Sequence, residues 1–178
     1  VKQAVPMFNV VDMPRSVRAQ AQGKWERWPS ALLAGKFVGI LGVGLIAEYL
    51  APICKTFGMT VIGISGSPRE TKCFDRIVHR NDLTKVAGDL DFLVVLTPLS
   101  AETRNIVGGK VFAAMKPTAY LVNVARGGVV DEQALIAALE AGRIAGAGLD
   151  VFAQEPLSPH NPLWKTKNLT IFSHLGGY

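Results

Sequence analysis

The chain has 178 residues, 49% of them hydrophobic and 19% charged, which is enough apolar material for one sizeable core. Its formal net charge of +5 suits an anionic ligand, but the basic residues are scattered and no aromatic-interleaved stripe of the kind that grips nucleic acid is present. No apolar run approaches the roughly 18 residues of a membrane span, no cleavable signal pattern opens the chain, and Cys54 and Cys73 do not form a metal-like pair. The expectation is a soluble, cytoplasmic protein without a metal, a membrane or nucleic acid as partner.

From Val10 to Lys24, apolar Val10, Val11, Val17 and Ala21 sit among Arg15, Arg18, Gln20 and Gln22, which predicts an amphipathic helix that Pro14 starts or bends. Trp25 and Trp28 follow, read as packing beneath a sheet, with a partner surface as the alternative. Phe37 to Leu41 is a short apolar strand that empties into Gly42, Gly44 and Ala47, just where a helical pattern begins. In a strand, turn and helix of this kind the first glycine permits the turn and the second lets backbone approach a pyrophosphate. Small Ala47 lets the helix pack closely on the strand. Unpaired N–H groups and the positive end of the helix dipole would then hold the anion.

Leu45 to Phe57 reads as that helix, with Pro52 inside it and Gly58 ending it. Thr60 to Ile64 and Arg76 to Val78 are the next strands, after which Asn81 or Asp82 can cap a brief helix. Asp91 to Leu96 is a near-continuous apolar strand of the central parallel type, stopping at Thr97-Pro98. Ser100, Glu102 and Thr103 open another helical stretch, and Lys110 to Met115 a further turn that Pro117 ends. Tyr120 to Val124 is the fifth strand, Asp131 caps a helix from Gln133 to Ala141, Ala145 to Val151 is the sixth strand and Leu169 to Phe172 the last. Such alternation implies a doubly wound α/β fold: a parallel sheet, helices on both faces, and ligands at the carboxyl ends of the strands.

Three polar residues fall just beyond strand ends: Arg126, Glu155 and His174. Singly each has a bland reading as a surface cation, a loop carboxylate or a packed histidine. Together they supply what reduction of a carbonyl beside a carboxylate requires. The Arg can hold the substrate carboxylate and polarise its carbonyl, the His can deliver the proton, and the Glu can fix the imidazole tautomer.

Four blocks then make the chain recognisable: Gly39 to Ile46; Thr97 to Arg104; Met115-Lys116-Pro117 with Leu121 to Asp131; and Gly148 to Phe152 with Glu155-Pro156-Leu157, ending at His174 to Gly177. From about Met13 to Gly177 it closely resembles the nucleotide-binding domain of the D-isomer-specific 2-hydroxyacid dehydrogenases. The resemblance implies a Rossmann-type domain over residues 37–178, preceded over 1–36 by a crossing helix and connector that belong to a dimer contact. It also implies a second, substrate-binding domain that this chain lacks. The implied catalytic set is Arg126, Glu155 and His174. Leu45 and Ile46 would line the pyrophosphate turn with Gly42 and Gly44. Pro98 would lie by the adenosine, Val124 and Ala125 would border the nicotinamide, Asp150 would bind its carboxamide, and Thr97, Thr103 and Gly176 would complete the cofactor-binding set. The implied reaction is hydride transfer between nicotinamide and a small 2-oxo or 2-hydroxy acid such as glyoxylate or hydroxypyruvate, in a homodimer. A related class of dinucleotide-sensing co-repressors supplies the alternative function.

Two departures from the family pattern matter. Where many members carry an acidic residue to bind both ribose hydroxyls, roughly 20 residues past the glycine turn, this chain has Ser65, followed by Gly66, Ser67, Pro68 and Arg69. Two hydroxyls and a guanidinium in place of a carboxylate predict NADP as the preferred cofactor over NAD. Before the catalytic His, Phe172-Ser173 replaces the common Thr-Pro.

Overall fold

The computed structural model describes residues 12–28, 32–67 and 71–176. Val10, Val11, Pro68, Arg69 and Gly177, all used in the sequence reading, lie outside the described residues. Seven strands form one parallel sheet: β1 (Phe37–Leu41), β2 (Thr60–Ser65), β3 (Arg76–His79), β4 (Phe92–Val95), β5 (Tyr120–Asn123), β6 (Gly146–Leu149) and β7 (Leu169–Ile171). Their spatial order is β3-β2-β1-β4-β5-β6-β7. The chain therefore leaves β1 in one direction for β2 and β3, then crosses back to β4 and runs the other way. The crevice above β1 and β4 is where such a sheet takes a ligand.

Alternate residues of β1 feed two cores. Val38 and Ile40 pack with Ala47, Ala51 and Cys54 of α2 (Leu45–Thr56), whereas Leu41 joins the larger cluster beneath α3 (Leu83–Ala87), α4 (Gly109–Ala114) and α5 (Glu132–Glu140). Helices thus cover both faces, as a central parallel sheet requires. Asp91 fastens the base of β1: its carboxylate accepts the Phe37 N–H at 2.9 Å and faces Lys116 at 3.2 Å and Lys36 at 3.7 Å. Burial would raise the Asp91 pKa, but the Phe37 N–H and then the two ammonium groups outweigh it and hold the carboxyl below its ordinary value.

Four details depart from the sequence reading. Residues 101–105 form turns, not a helix, because the Thr103 hydroxyl accepts the Ser100 N–H at 2.7 Å and donates to the Pro98 carbonyl at 2.7 Å, closing the loop on itself. Neither Asn81 nor Asp82 caps a helix with its side chain. The His79 ring Nδ1 accepts the Asn81 N–H instead, while Asp82 pairs with Lys85. Trp25 does not pack beneath the sheet but is 92% exposed. Arg15 of α1 (Asp12–Ala21) bonds Glu26 at 3.1 Å and lies 4.2 Å over the Trp28 ring, which folds the connector back onto its own helix. Finally, Val17 and Ala21 of α1 are exposed and Ala19 is buried, so the face expected to be buried points outward.

Candidate functional site

At the end of β1 the chain turns through Gly42 with φ 106°, and a Cβ there would lie 2.6 Å from the Thr97 backbone nitrogen. Only glycine lets the turn pack against the end of β4. Gly44 is the opposite case: its backbone is extended and nothing lies within 4 Å of where its Cβ would be. It opens α2 without a side-chain cap, and Leu45 and Ile46 behind it are exposed. Open space, N–H groups with no side-chain cap among the described residues and the positive end of a 12-residue helix are what a pyrophosphate needs, so the residues present fit a dinucleotide.

Either side of that turn, the strand ends are stiffened by their own side chains. After β2, the buried Ser65 hydroxyl donates to the Ser67 carbonyl at 2.8 Å and accepts the Ser67 N–H. After β4, Thr97 is buried, Pro98 is exposed, and Thr103 is committed to holding the loop that follows. After β5, Val124 is exposed and Ala125 buried. Fully buried Asn123 accepts the Ala125 N–H at 3.1 Å and donates to the Arg126 carbonyl at 3.1 Å, so it fixes the turn that presents Arg126. The exposed Arg126 guanidinium donates to the Ala125 carbonyl at 2.6 Å.

Beyond the ends of β6 and β7 the site is built around a carboxylate–imidazole pair. Glu155 Oε2 and His174 Nδ1 are 2.6 Å apart, and Glu155 Oε1 accepts the Phe152 N–H at 2.8 Å. The hydrogen bond from His174, helped by the one from Phe152, holds the Glu155 carboxyl below its ordinary value. A carboxylate only accepts, so Nδ1 carries the hydrogen and Nε2 is left as the nitrogen that can exchange a proton. His174 sits at φ 57°, a left-handed conformation that favours glycine, and its N–H donates to the Asp150 carbonyl at 2.9 Å. The buried Asp150 carboxylate then accepts the Leu175 and Gly176 N–H groups, each at 2.8 Å. Three bonds to one residue over-determine the strained histidine.

Glu155 and His174 are thus brought into direct contact. Arg126 joins them through backbone: a Cβ on the next residue, Gly127, would fall inside the Phe152 carbonyl group, so the Arg126 turn lies flush against the segment leading to Glu155. Asn123, Gly127 and the anchoring bonds of Asp150 were not assigned from sequence. A polar residue ending the apolar run Leu121-Val122-Asn123 was the available signal for the first. Phe152, Pro156, Trp164 and Phe172 line a cleft of about 450 Å³ beside Glu155 and His174.

Residues 7–176 match the family model described as D-isomer specific 2-hydroxyacid dehydrogenase, NAD binding domain. The chain is 40% identical over 172 residues to a glyoxylate reductase of Korarchaeum cryptofilum, covering 93% of this chain and 51% of that protein. It is 39% identical over 174 residues to glyoxylate/hydroxypyruvate reductase B of Yersinia enterocolitica, covering 94% and 52%. Among solved structures, a D-isomer specific 2-hydroxyacid dehydrogenase from Xanthobacter autotrophicus Py2 in complex with NADPH and MES is 36% identical with a TM-score of 0.86, covering 95% of this chain and 54% of that one. The chain therefore spans about half the length of the curated relatives it matches.

Proposed function

This chain belongs to the NAD-binding domain family of the D-isomer-specific 2-hydroxyacid dehydrogenases, and from that premise we propose that it forms the cofactor half of a 2-oxoacid reductase. The observation that carries this reading is the 2.6 Å contact between Glu155 and His174, on the same sheet edge as the uncapped glycine turn. Substrates the size of glyoxylate or hydroxypyruvate follow from the names of the relatives from Korarchaeum cryptofilum and Yersinia enterocolitica.

Bound at this edge, the nicotinamide supplies the hydride. Gly44, Leu45 and Ile46 hold the pyrophosphate with backbone N–H groups. Ser65 and Ser67 meet the adenosine ribose, and Pro98 lies by the adenosine with Thr97 beside it in the chain. Val124 and Ala125 border the nicotinamide, and Asp150 and Gly176 stand by its carboxamide. Arg126 has guanidinium N–H groups beyond the one given to Ala125, and these take the substrate carboxylate and polarise the neighbouring carbonyl. Glu155, kept ionised, holds Nδ1–H, so that Nε2 of His174 passes its proton to the carbonyl oxygen.

In the same reading NADP is preferred over NAD, since no carboxylate stands at Ser65 to repel a 2′-phosphate. Residues 37–178 form the nucleotide-binding unit and residues 1–36 a crossing segment at a homodimer contact. A separate domain closes the substrate side of the cleft, and the free thiols of Cys54 and Cys73 fit a reducing cytoplasm. The test is NADPH oxidation with glyoxylate and with hydroxypyruvate by the protein carrying both domains, with and without His174→Gln. The rate should fall about 10²–10⁴-fold, with NADPH affinity held within about twofold. A variant that keeps its rate contradicts the reading.

A further inference from the structure

The register of the sheet edge brings an unassigned cation to the adenosine end of the cleft. Ser65, the last residue of β2, pairs with His79, the last of β3, so Gly66 and Arg80 leave the sheet side by side. A Cβ on Gly66 would lie 2.7 Å from Nη1 of Arg80 and 2.9 Å from its Cζ, so the guanidinium rests directly on the Gly66 backbone. The His79 ring keeps that backbone in place: Nδ1 accepts the Asn81 N–H, which leaves Nε2–H to donate to the Gly66 carbonyl at 3.2 Å.

On its other side Arg80 Nη2 donates to Glu102 Oε2, in the loop after β4. The guanidinium therefore bridges the loops after β2 and β4, the two strands that flank β1 and its glycine turn. The two halves of this ion pair differ: the Arg80 side chain is 21% exposed and that of Glu102 is 70% exposed. The cation is seated and its counter-ion is a replaceable one standing in water. A phosphate monoester carries nearly two charges and three acceptor oxygens, and it outcompetes a single carboxylate for a guanidinium fork.

Resting on the reading that this edge takes a nicotinamide dinucleotide, we propose that Arg80 is the residue that recognises the 2′-phosphate of NADP(H). Glu102 is the counter-ion that Arg80 exchanges for that phosphate. With NAD(H), which has no 2′-phosphate, the Arg80–Glu102 pair stays closed and contributes nothing to binding.

The experiment titrates the unaltered chain and its Arg80→Gln, Glu102→Gln and Arg69→Ala variants with NADPH, NADH, 2′,5′-ADP and 5′-AMP. Arg80→Gln should weaken NADPH and 2′,5′-ADP about 10- to 100-fold and change NADH and 5′-AMP less than about threefold. Glu102→Gln should tighten NADPH and 2′,5′-ADP selectively, because it removes the competing carboxylate. If Arg80→Gln fails to fold, the Glu102→Gln result decides alone: a selective gain supports the assignment and no gain overturns it. Equal weakening of all four ligands by Arg80→Gln makes the residue a structural clasp and overturns the assignment, as does loss of the preference in Arg69→Ala but not in Arg80→Gln. If the unaltered chain binds NADH and NADPH equally, the assignment of Arg80 falls together with the NADP preference, while the dinucleotide reading stands. If it binds neither, the dinucleotide reading falls as well.

Discussion

Replacing Gly44 by alanine separates the fold from the binding site, because the added methyl meets no atom of the protein within 4 Å. Gly44 has φ −125° and ψ −170°, which any residue adopts without strain. Stiffening the unfolded chain should add about 0.4–1 kcal/mol of stability, and exchanging glycine for alanine at an N-cap should remove a similar amount, so the net change stays within about 1 kcal/mol. Under the proposed function, the methyl enters the space that the pyrophosphate takes. Displacing an anion from the first N–H groups of α2 forfeits at least one charge-assisted hydrogen bond, about 1.5–3 kcal/mol or about 10- to 100-fold in affinity. Urea unfolding and NADPH fluorescence titration on the same sample give both numbers. A Gly44→Ala variant of unchanged stability that binds NADPH as tightly as the parent would refute the reasoning, since the opening at Gly44 would then have no ligand to admit.

The same substitution at Gly127 should do the reverse. Its methyl would collide with the Phe152 carbonyl backbone, so Gly127→Ala should cost about 2–3 kcal/mol, read as a lowered urea midpoint with an unchanged slope. In Asp150→Asn one oxygen that accepts an N–H becomes an NH₂ group. Amide exchange at Leu175 and Gly176 should accelerate about 10- to 100-fold, and unchanged protection would mean that Asp150 does not hold the His174 segment. Asp91→Ala should lower stability by about 2–3 kcal/mol near about pH 7. Because the folded-state pKa of Asp91 is depressed, its contribution is present above the unfolded value of about 3.9 and disappears as pH falls through the lower folded value. The variant should therefore lose stability less steeply in acid than the parent, and parallel acid limbs would contradict the pairing.

The strands, the doubly wound fold class and the glycine turn were legible because they depend on local patterns. Short apolar runs separated by helical stretches define parallel strands, and Gly42 and Gly44 mark the one turn that must be both tight and open. His174 and Glu155 were legible as residues just past strand ends, but their contact was not, since it depends on Asp150 and Phe152 placing two loops together. The mistaken helix after Ser100 has a physical origin: a threonine that favours a helix start can as readily tie its hydroxyl to the backbone around it. Trp25 misled for another reason, since its side chain suggests burial while the Arg15 contacts to Glu26 and Trp28 settle where the connector lies. Arg80 was invisible because its partners come from distant stretches of chain. Gly66 reaches it only through the pairing of β2 with β3, and Glu102 is 22 residues away.

Under the proposed function, the carboxyl edge above β1 and β4 takes a nicotinamide dinucleotide with its reactive end at His174. Backbone amide shifts of the chain titrated with NADPH test this most directly. One saturable set of changes should include Leu45, Ile46, Thr97, Val124 and His174, while amides around Trp25 and at the base of the sheet near Phe37 should stay still. Saturable changes confined elsewhere, or none at concentrations well above those that saturate such domains, would contradict it.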